Sequence, residues 1–389
     1  MISPHGPSAA QGIHTLTLQN FRSYTQLEIS PEGHNIICYG GNGAGKTNLL
    51  EAISLLSPGR GLRRARLSDM RLQNSATSRW SIGAHLNSPY GRIDLSTTAQ
   101  CDTMKERRTC SVFGKTEKTL SALARHISLV WLTPQMDRLF SEGMSSRRRF
   151  VDRLCVALYP SYNDLLTTYD TLAKERLMAL STAPDPHWLQ ALEQQLAEAG
   201  LRICHTRQEV CYRLNGQMAQ RHSAFPQAML HPGGDADGLL SMSPETALIF
   251  YVDKLSKSRS LDHTHQATTF GPHRFPIDIH HVDKNLAATY CSTGEQKALL
   301  LSIILAFTSL MKEYSEGVPV LLLDEVIAHL DEEKRAHLFQ ELWALQVQIW
   351  MTGTDRAPFL TCENHAVLYH VEHATLTKQH AMHQEFMRL

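Results

Sequence analysis

Residues Gly40-Gly41-Asn42-Gly43-Ala44-Gly45-Lys46-Thr47 have the composition and spacing of a loop that wraps phosphate. Glycines let the backbone turn where a Cβ would obstruct it, so successive N–H groups can converge on phosphate oxygens. Lys46 is then placed for the β- and γ-phosphates, and the Thr47 hydroxyl for Mg²⁺. A second set of reactive groups, Asp324-Glu325, follows the apolar run Val320-Leu321-Leu322-Leu323. The pair suits a division of labour in phosphoanhydride hydrolysis: Asp324 orients Mg²⁺ through water, and Glu325 polarises the attacking water as general base. An apolar run ending in two acids is often only a strand reaching the surface. Combined with the loop, it reads as a nucleoside triphosphate site with Lys46 and Glu325 catalytic and Thr47 and Asp324 on the metal.

A third group is Ser292-Thr293-Gly294-Glu295-Gln296, which opens an apolar helical run from Ala298 to Leu305. A Ser at an N-cap followed by Gly presents a hydroxyl, unsatisfied N–H groups and the positive end of a helix dipole, which together suit a γ-phosphate. The same residues are also an ordinary capping box. Because Gly40 to Thr47 already encloses one triphosphate, this second helix end is expected to serve the nucleotide of another copy.

These groups need strands and helices to hold them. Ile36 to Tyr39 reads as the strand entering the glycine loop, and Asn48 to Leu56 as the helix leaving it, its N-terminal dipole facing the anion. Period-two alternation in Ile13–Leu18, Gln26–Ile29, Trp80–Leu86 and Gly91–Ser96 makes the early part β-rich. From Ser145 the apolar spacing becomes helical through Phe150, Leu154, Leu158, Leu165 and Leu172. Pro184 and Pro186 interrupt it before Leu189, Leu192 and Leu196 resume, and Pro226 to Pro244 reads as a flexible loop. Lys46 and Asp324 are 278 positions apart, more than one compact domain needs to bring two neighbouring strands together. The expected fold is therefore α/β, a P-loop ATPase head with a mixed sheet and flanking helices that carries an inserted, mainly helical lobe. Its boundaries are placed at 12–134 plus 266–389 for the head, 135–265 for the lobe and 1–11 for a loose tail.

Composition removes several alternatives. Across 389 residues, 38 Lys and Arg balance 38 Asp and Glu, so any nucleic-acid contact must come from local patches. Eight cysteines stand singly without a Cys-x-x-Cys pair, as reduced core thiols do, and the 21 histidines show no ligand spacing, so no metal beyond Mg²⁺ is expected. The N-terminal residues lack the basic and apolar regions of a signal peptide, and the most apolar segment, Ala298 to Phe307, falls short of the ~20 residues that span a bilayer. A soluble, cytoplasmic protein is expected.

Ser292 to Gln296 resembles a divergent ABC signature, and Ala328-His329-Leu330-Asp331 resembles a D-loop. With Asn20-Phe21-Arg22-Ser23-Tyr24, Gly59-Arg60-Gly61, Ser145 to Asp152, Gly271-Pro272-His273-Arg274 and Thr352-Gly353-Thr354-Asp355, the chain resembles the RecF family of recombinational repair proteins from residue 20 to residue 355. The resemblance implies an ABC-type, SMC-like head without a long coiled coil. It implies an ATP-dependent homodimer on gapped, double-stranded or junction DNA, weak DNA-stimulated ATP hydrolysis that releases the DNA, and recombinase loading with RecO and RecR. Carried over by motif, Gly40 to Thr47 bind ATP, Ser292 and Gly294 face the other subunit's ATP, Gln296 and Asp331 also belong to the nucleotide site, and Gln135 stands where a Q-loop residue would. The chain departs from the pattern after Arg274, where Phe275-Pro276 replaces an acidic pair, and after Ile349, where no switch histidine follows. Thr352 or Thr354 is expected to meet the γ-phosphate instead.

Arginines cluster at Arg60, Arg63, Arg64, Arg66 and Arg71, at Arg107 and Arg108 with Lys105, and at Arg147-Arg148-Arg149. Of these, Arg63, Arg64, Arg66, Arg107 and Arg108 are the expected DNA contacts, neutralising phosphates in a salt-dependent, sequence-independent way. A solvated face or a subunit contact has the same appearance. No aromatic residues interleave them, which favours duplex or junction backbone over a single-strand stacking groove. Arg22 and Arg60 are alternative nucleotide contacts. Two other functions fit parts of the pattern: a transporter ATPase subunit, and a scaffold that holds ATP without hydrolysing it.

Overall fold

The computed structural model describes residues 11–31, 35–73, 75, 77–101, 106–182 and 185–379. The tail expected over 1–11 lies outside these apart from Gln11, as do Lys105 and Pro184. In chain order the strands and helices begin with β1 (Gly12–Phe21), β2 (Tyr24–Ile29), β3 (Asn35–Tyr39), α1 (Lys46–Ser54), β4 (Arg79–Ser88), β5 (Gly91–Cys101), β6 (Glu106–Val112), β7 (Lys115–Thr116), α2 (Ser121–Ala124) and β8 (Ile127–Leu132). They continue with α3 (Met144–Leu158), α4 (Tyr162–Ser181), α5 (Pro186–Gln220), β9 (Ala228–Pro232), α6 (Asp235–Leu240), α7 (Pro244–His265), β10 (Ile277–His281) and β11 (Leu286–Ala287). The last are α8 (Thr293–Tyr314), β12 (Val318–Leu323), α9 (Glu332–Leu345), β13 (Gln348–Gly353), β14 (Val367–Glu372) and β15 (Thr375–Gln379).

The chain divides into two compact units, Met1–Met136 with Thr308–Leu389, and Asp137–Phe307. In the first, a sheet ordered β15-β14-β3-β13-β12-β8 holds five parallel strands, with β15 antiparallel at its edge. Every residue of β8 and β13 is buried, as strands covered on both faces are, and their mostly apolar sequences are broken only by buried Ser128, Gln348 and Thr352 and by Gly353. Register aligns their ends: Leu323 pairs with Leu132 and with Met351, and Gly353 pairs with Tyr39. The carboxyl ends of β3, β13, β12 and β8 therefore share one edge, where ligands bind in sheets of this kind.

The antiparallel sheet β2-β1-β4-β5-β6-β7 alternates instead. Trp80, Ile82, Ala84 and Leu86 point into a core shared with Leu16, Leu18, Phe21, Leu50, Ile53 and Trp350, while the intervening positions of β4 face outward. A buried amide joins the two sheets: Gln348 Oε1 accepts from Ile13 N at 2.8 Å, and its Nε2 donates to Ile13 O at 3.0 Å, at the point where β1 shifts register against β4.

The second unit is built on α3, α4, α5 and α7. Pro186 follows the capping Asp185, whose side chain accepts from His187 N, so the proline that interrupts the apolar spacing starts a helix of 35 residues. Arg176, fully buried on α4, donates to Glu193 Oε1 at 3.0 Å on α5 and to Asp262 Oδ2 at 2.7 Å on α7, tying three helices at one point. The expected flexible loop over Pro226 to Pro244 is instead structured as β9 and α6, because Ala228, Leu230 and Pro232 alternate inward and pair with β10. The same pairing ties Ile277–His281 to the second unit, which runs on to Phe307, past the expected lobe of 135–265. Arg147 and Arg148 reinforce it by donating to the Ile277 and Arg274 carbonyls at 3.0 and 3.1 Å.

Helix α8 is longer than its apolar centre suggests. By length and composition it is one helix that could cross a membrane, but 72% of its most apolar window is buried within the fold, as in a core helix.

Candidate nucleotide-binding site

Gly40 has φ 155°, and a Cβ there would fall 2.1 Å from the carbonyl oxygen of Val371 on β14. Gly45 has φ 115° and is wedged against Tyr24 and Ser23, so a Cβ is excluded on two counts. Gly41 and Gly43 border open space instead. The loop is held from outside: Gly40 N donates to Gly353 O at 3.2 Å, Ala374 N to Ala44 O at 3.0 Å, and Tyr24 Oη to Gly45 O at 3.1 Å. The turn between β1 and β2, where Ser23 also accepts from Asn48 Nδ2, is therefore a brace for the loop and not a separate site. Lys46, 4% exposed, donates to the Gly40 and Gly41 carbonyls at 2.6 and 3.0 Å, and its Nζ lies 3.9 Å from Glu325 Oε1. Helix α1 starts at Lys46 without a side-chain cap, leaving its first N–H groups directed at the loop.

At the end of β12, Asp324 is 3% exposed and its Oδ1 accepts two hydroxyls, Thr47 at 3.0 Å and Thr352 at 2.7 Å. Burial raises the Asp324 carboxyl above its ordinary value, although the two hydroxyls pull the other way; Glu325 adds to the rise and Arg63 opposes it. Glu325 follows in a left-handed conformation, φ 51°, with its N–H donated to Thr352 Oγ1 at 3.0 Å and its carboxylate partly exposed. Thr352 is thus a correction to the expected phosphate contact: it is fully buried and serves the two acids. Thr354 donates to its neighbour Asp355 at 2.9 Å.

Behind the loop, Glu51 of α1 is fully buried and receives Arg22 through Nε and Nη2 at 2.7 and 2.8 Å. Arg63 adds Nη1 to Glu51 at 3.3 Å and to Asn48 at 2.8 Å. Two of the expected DNA contacts bond within the fold, although Arg63 stays exposed. Arg63 is held on α1, and Arg108 turns inward from β6 to bond Thr97 Oγ1 at 2.8 Å, Gly59 O at 2.6 Å and Ser57 O at 3.0 Å, with a further close bond to Leu55 O. Desolvation there lowers the Arg108 guanidinium to about 10. Arg107, the next residue along a strand of period two, points outward and is exposed, as are Arg64 and Arg66.

In the second unit, Ser292 and Glu295 form a reciprocal capping box: Ser292 N and Oγ donate to Glu295 Oε2 at 2.8 and 2.9 Å. Glu295 also takes the Lys284 ammonium, which with the Ser292 bonds holds its carboxyl down at about 2. Ser292 and Gly294 stay exposed at the helix start. Gln296 does not: it is 8% exposed, and its amide donates to the Cys291 carbonyl at 3.0 Å. In the first unit, Asp331 caps α9, accepting from Lys334 N at 2.8 Å, and Gln135 is exposed in a short 3-10 turn just beyond β8, on the edge that carries Asp324.

The donors suit a hard divalent cation bound together with phosphate. Thr47 and Asp324 offer only oxygen, and among the described residues no cluster of three His, Cys, Asp or Glu could hold a metal unaided. Mg²⁺ matches this, since it takes one or two protein oxygens and completes its shell from phosphate and water. The open space over Gly41 and Gly43 and the uncapped start of α1 match a phosphate chain.

The RecF/RecN/SMC N terminal domain family matches residues 12–377. A DNA replication and repair protein RecF from Rhizobium rhizogenes strain K84 is 38% identical over 369 residues, covering 94% of this chain and 98% of that protein. Its counterpart from Agrobacterium fabrum strain C58 is 38% identical over 365 residues, covering 93% and 97%. The solved structure of the recombination mediator protein RecF-ATP in the RecFOR pathway superposes with a TM-score of 0.81 at 22% identity, covering 97% of this chain and 100% of that one. An SMC head bound to the C-winged helix domain of ScpA reaches 0.55 at 14% identity, covering 97% and 99%. With nearly its whole length aligned to relatives of one kind, the chain belongs to the RecF family of DNA replication and repair proteins.

Proposed function

We propose that this protein binds and slowly hydrolyses ATP with Mg²⁺, and that two copies close on DNA around the bound nucleotide. The observation that carries the reading is the meeting of Thr47, Asp324, Glu325 and Lys46 at the carboxyl edge of the parallel sheet. Lys46 exchanges its bonds to the Gly40 and Gly41 carbonyls for phosphate oxygens, and the backbone from Gly41 to Thr47, Asn42 and Ala44 included, lines the chain of phosphates. Thr47 and Asp324 would hold Mg²⁺, which when bound neutralises charge on the phosphate oxygens. Glu325, whose carboxylate reaches solvent, takes the proton of the attacking water. The exposed pair Ser292 and Gly294 offers its N–H groups and hydroxyl to the triphosphate of the second copy, so ATP stabilises the dimer and hydrolysis reverses it. Gln135, exposed on the edge that carries Asp324, lines the chain's own nucleotide, and exposed Asp331 belongs to the nucleotide site as well.

DNA is held by backbone contact through Arg64, Arg66 and Arg107, gapped or junction duplex being the substrate, and the family implies RecO and RecR as partners in loading recombinase in the cytoplasm. A transporter subunit is not favoured, because the relatives that match along nearly the full chain are repair proteins. The test is sedimentation of the purified chain with and without ATP and Mg²⁺, in the presence and absence of a gapped duplex. An ATP-dependent shift from monomer to dimer that carries DNA supports the reading; a monomer that binds ATP and ignores DNA overturns it.

A further inference from the structure

Thr352 is the penultimate residue of β13 and has no exposed surface. Its hydroxyl donates to Asp324 Oδ1 at 2.7 Å and accepts the Glu325 backbone N–H at 3.0 Å. A hydroxyl carries one proton, so accepting from Glu325 while donating to Asp324 fixes its rotor completely. Glu325 stands at φ 51°, a conformation disfavoured for a residue with a Cβ and kept only where its surroundings impose it. The Thr352 bond supplies that constraint at the backbone, and its other bond reaches the neighbouring carboxylate. Thr47 approaches the same oxygen of Asp324, and among the described residues no hydrogen bond involves Oδ2.

We propose that Thr352 is a positioning residue for ATP hydrolysis: one buried hydroxyl locks the Asp324 side chain and the Glu325 backbone into a single relative geometry, so that the metal-holding acid and the general base are set together. The inference rests on the hydrolytic reading of those two acids. It differs from a phosphate-contacting role in what it predicts. A side chain without exposed surface gives no direct grip on nucleotide, so its loss acts on turnover and on the contribution of Mg²⁺, while nucleotide binding without the metal is spared.

The variants are Thr352→Val, which keeps shape and β-branching in a buried strand, and Thr352→Ser, which keeps the hydroxyl. Two quantities are measured on the full chain: kcat for ATP, and the affinity of a fluorescent non-hydrolysable ATP analogue in Mg²⁺ and in EDTA. Thr352→Val is expected to lower kcat roughly 10–100-fold, in the range of lost supporting bonds around metal ligands. It should also shrink the Mg²⁺-dependent tightening of analogue binding and leave the EDTA affinity at the parental value. Thr352→Ser should restore both. A defect of folding would weaken the EDTA affinity as well, and parental kcat in Thr352→Val would overturn the proposal. If valine unfolds the chain, Thr352→Cys, a much weaker donor, takes its place with the same two outcomes against Thr352→Ser. Glu325→Gln separates the layers: if it is inactive while Thr352→Val is parental, only the present inference falls, and if it hydrolyses as the parent does, the hydrolytic reading falls with it.

Discussion

Arg107 and Arg108 are adjacent in sequence and opposite in fate, and replacing each by alanine tests the sorting of the arginine clusters by strand face. Arg108 bonds the backbone of the segment after α1 at Leu55, Ser57 and Gly59, and the Thr97 hydroxyl. A hydrogen bond to a charged group contributes about 1.5–3 kcal/mol, but bonds from one guanidinium are not additive. Truncation also strands carbonyls that the guanidinium now satisfies. Removing one partner of a buried charged contact costs about 3–5 kcal/mol, and the lower end suits a group facing neutral carbonyls. At about 2–4 °C per kcal/mol for a unit of some 200 residues, Arg108→Ala should melt roughly 6–12 °C below the parent. Arg107→Ala removes an exposed side chain and should stay within about 0.5 kcal/mol of parental stability. If Arg107 meets a phosphate, its loss lowers the slope of log affinity against log salt by about 0.9 on duplex DNA. Thermal melts and salt-dependent DNA titrations of the two variants decide the matter. Parental melting of Arg108→Ala together with a reduced salt slope would show that Arg108 reaches DNA and that the inward assignment is wrong.

Glu325→Gln should retain nucleotide and lose about 10²–10⁴-fold in phosphate release, the usual contribution of a general base; unchanged release would remove Glu325 from that role. Ser292→Arg should leave ATP binding by a single chain intact and abolish the ATP-dependent dimer in sedimentation, whereas normal dimerisation would sink the assignment of that helix start to a second copy's nucleotide. Arg176→Met leaves Asp262 and Glu193 buried without their shared partner and should lower stability by about 3–5 kcal/mol, read as a reduced urea midpoint at constant m. Burial pushes the Asp262 carboxyl up, but bonds from Thr269, Ser258 and Arg176 outweigh it and hold the group below its ordinary 3.8. Its contribution to stability is therefore fully present above that value and is lost as pH falls below it, so acid titration of Asp262→Asn should show a shallower loss than the parent.

The parts of the fold that were legible from sequence are those decided by local chemistry. Buried parallel strands need unbroken apolar runs, which is why β3 and β12 stand out beside the glycines and acids that follow them. Long-range pairing hides the rest. Arg108 shares the face of Cys110 and Val112 by simple alternation, but that it sits opposite Ala99 and reaches the backbone after α1 depends on how β6 pairs with β5. The strand within Pro226 to Pro244 is invisible until β10 supplies its partner. Thr352 looks like any threonine ending an apolar strand, and its service to two acids emerges only because β13 lies beside β12. Gln296 reads as a nucleotide contact by its place in the motif, and nothing local foretells that its buried amide also bonds the Cys291 carbonyl.

The hairpin of β14 and β15 bears on how the molecule is made. Gly40 is shaped by the Val371 carbonyl and Ala44 is tethered by Ala374, which lies 330 positions further along the chain. A ribosome that has released the whole glycine loop and α1 has made Tyr24, which braces Gly45, but not yet Gly353 or Ala374, and contacts so distant in sequence form late in folding. An incomplete chain holds a loop braced on one side only, so nucleotide affinity is expected to report on whether synthesis has passed Ala374 in the turn of that hairpin. The loop's dependence on late residues delays ligand capture until the parallel sheet has its full set of strands.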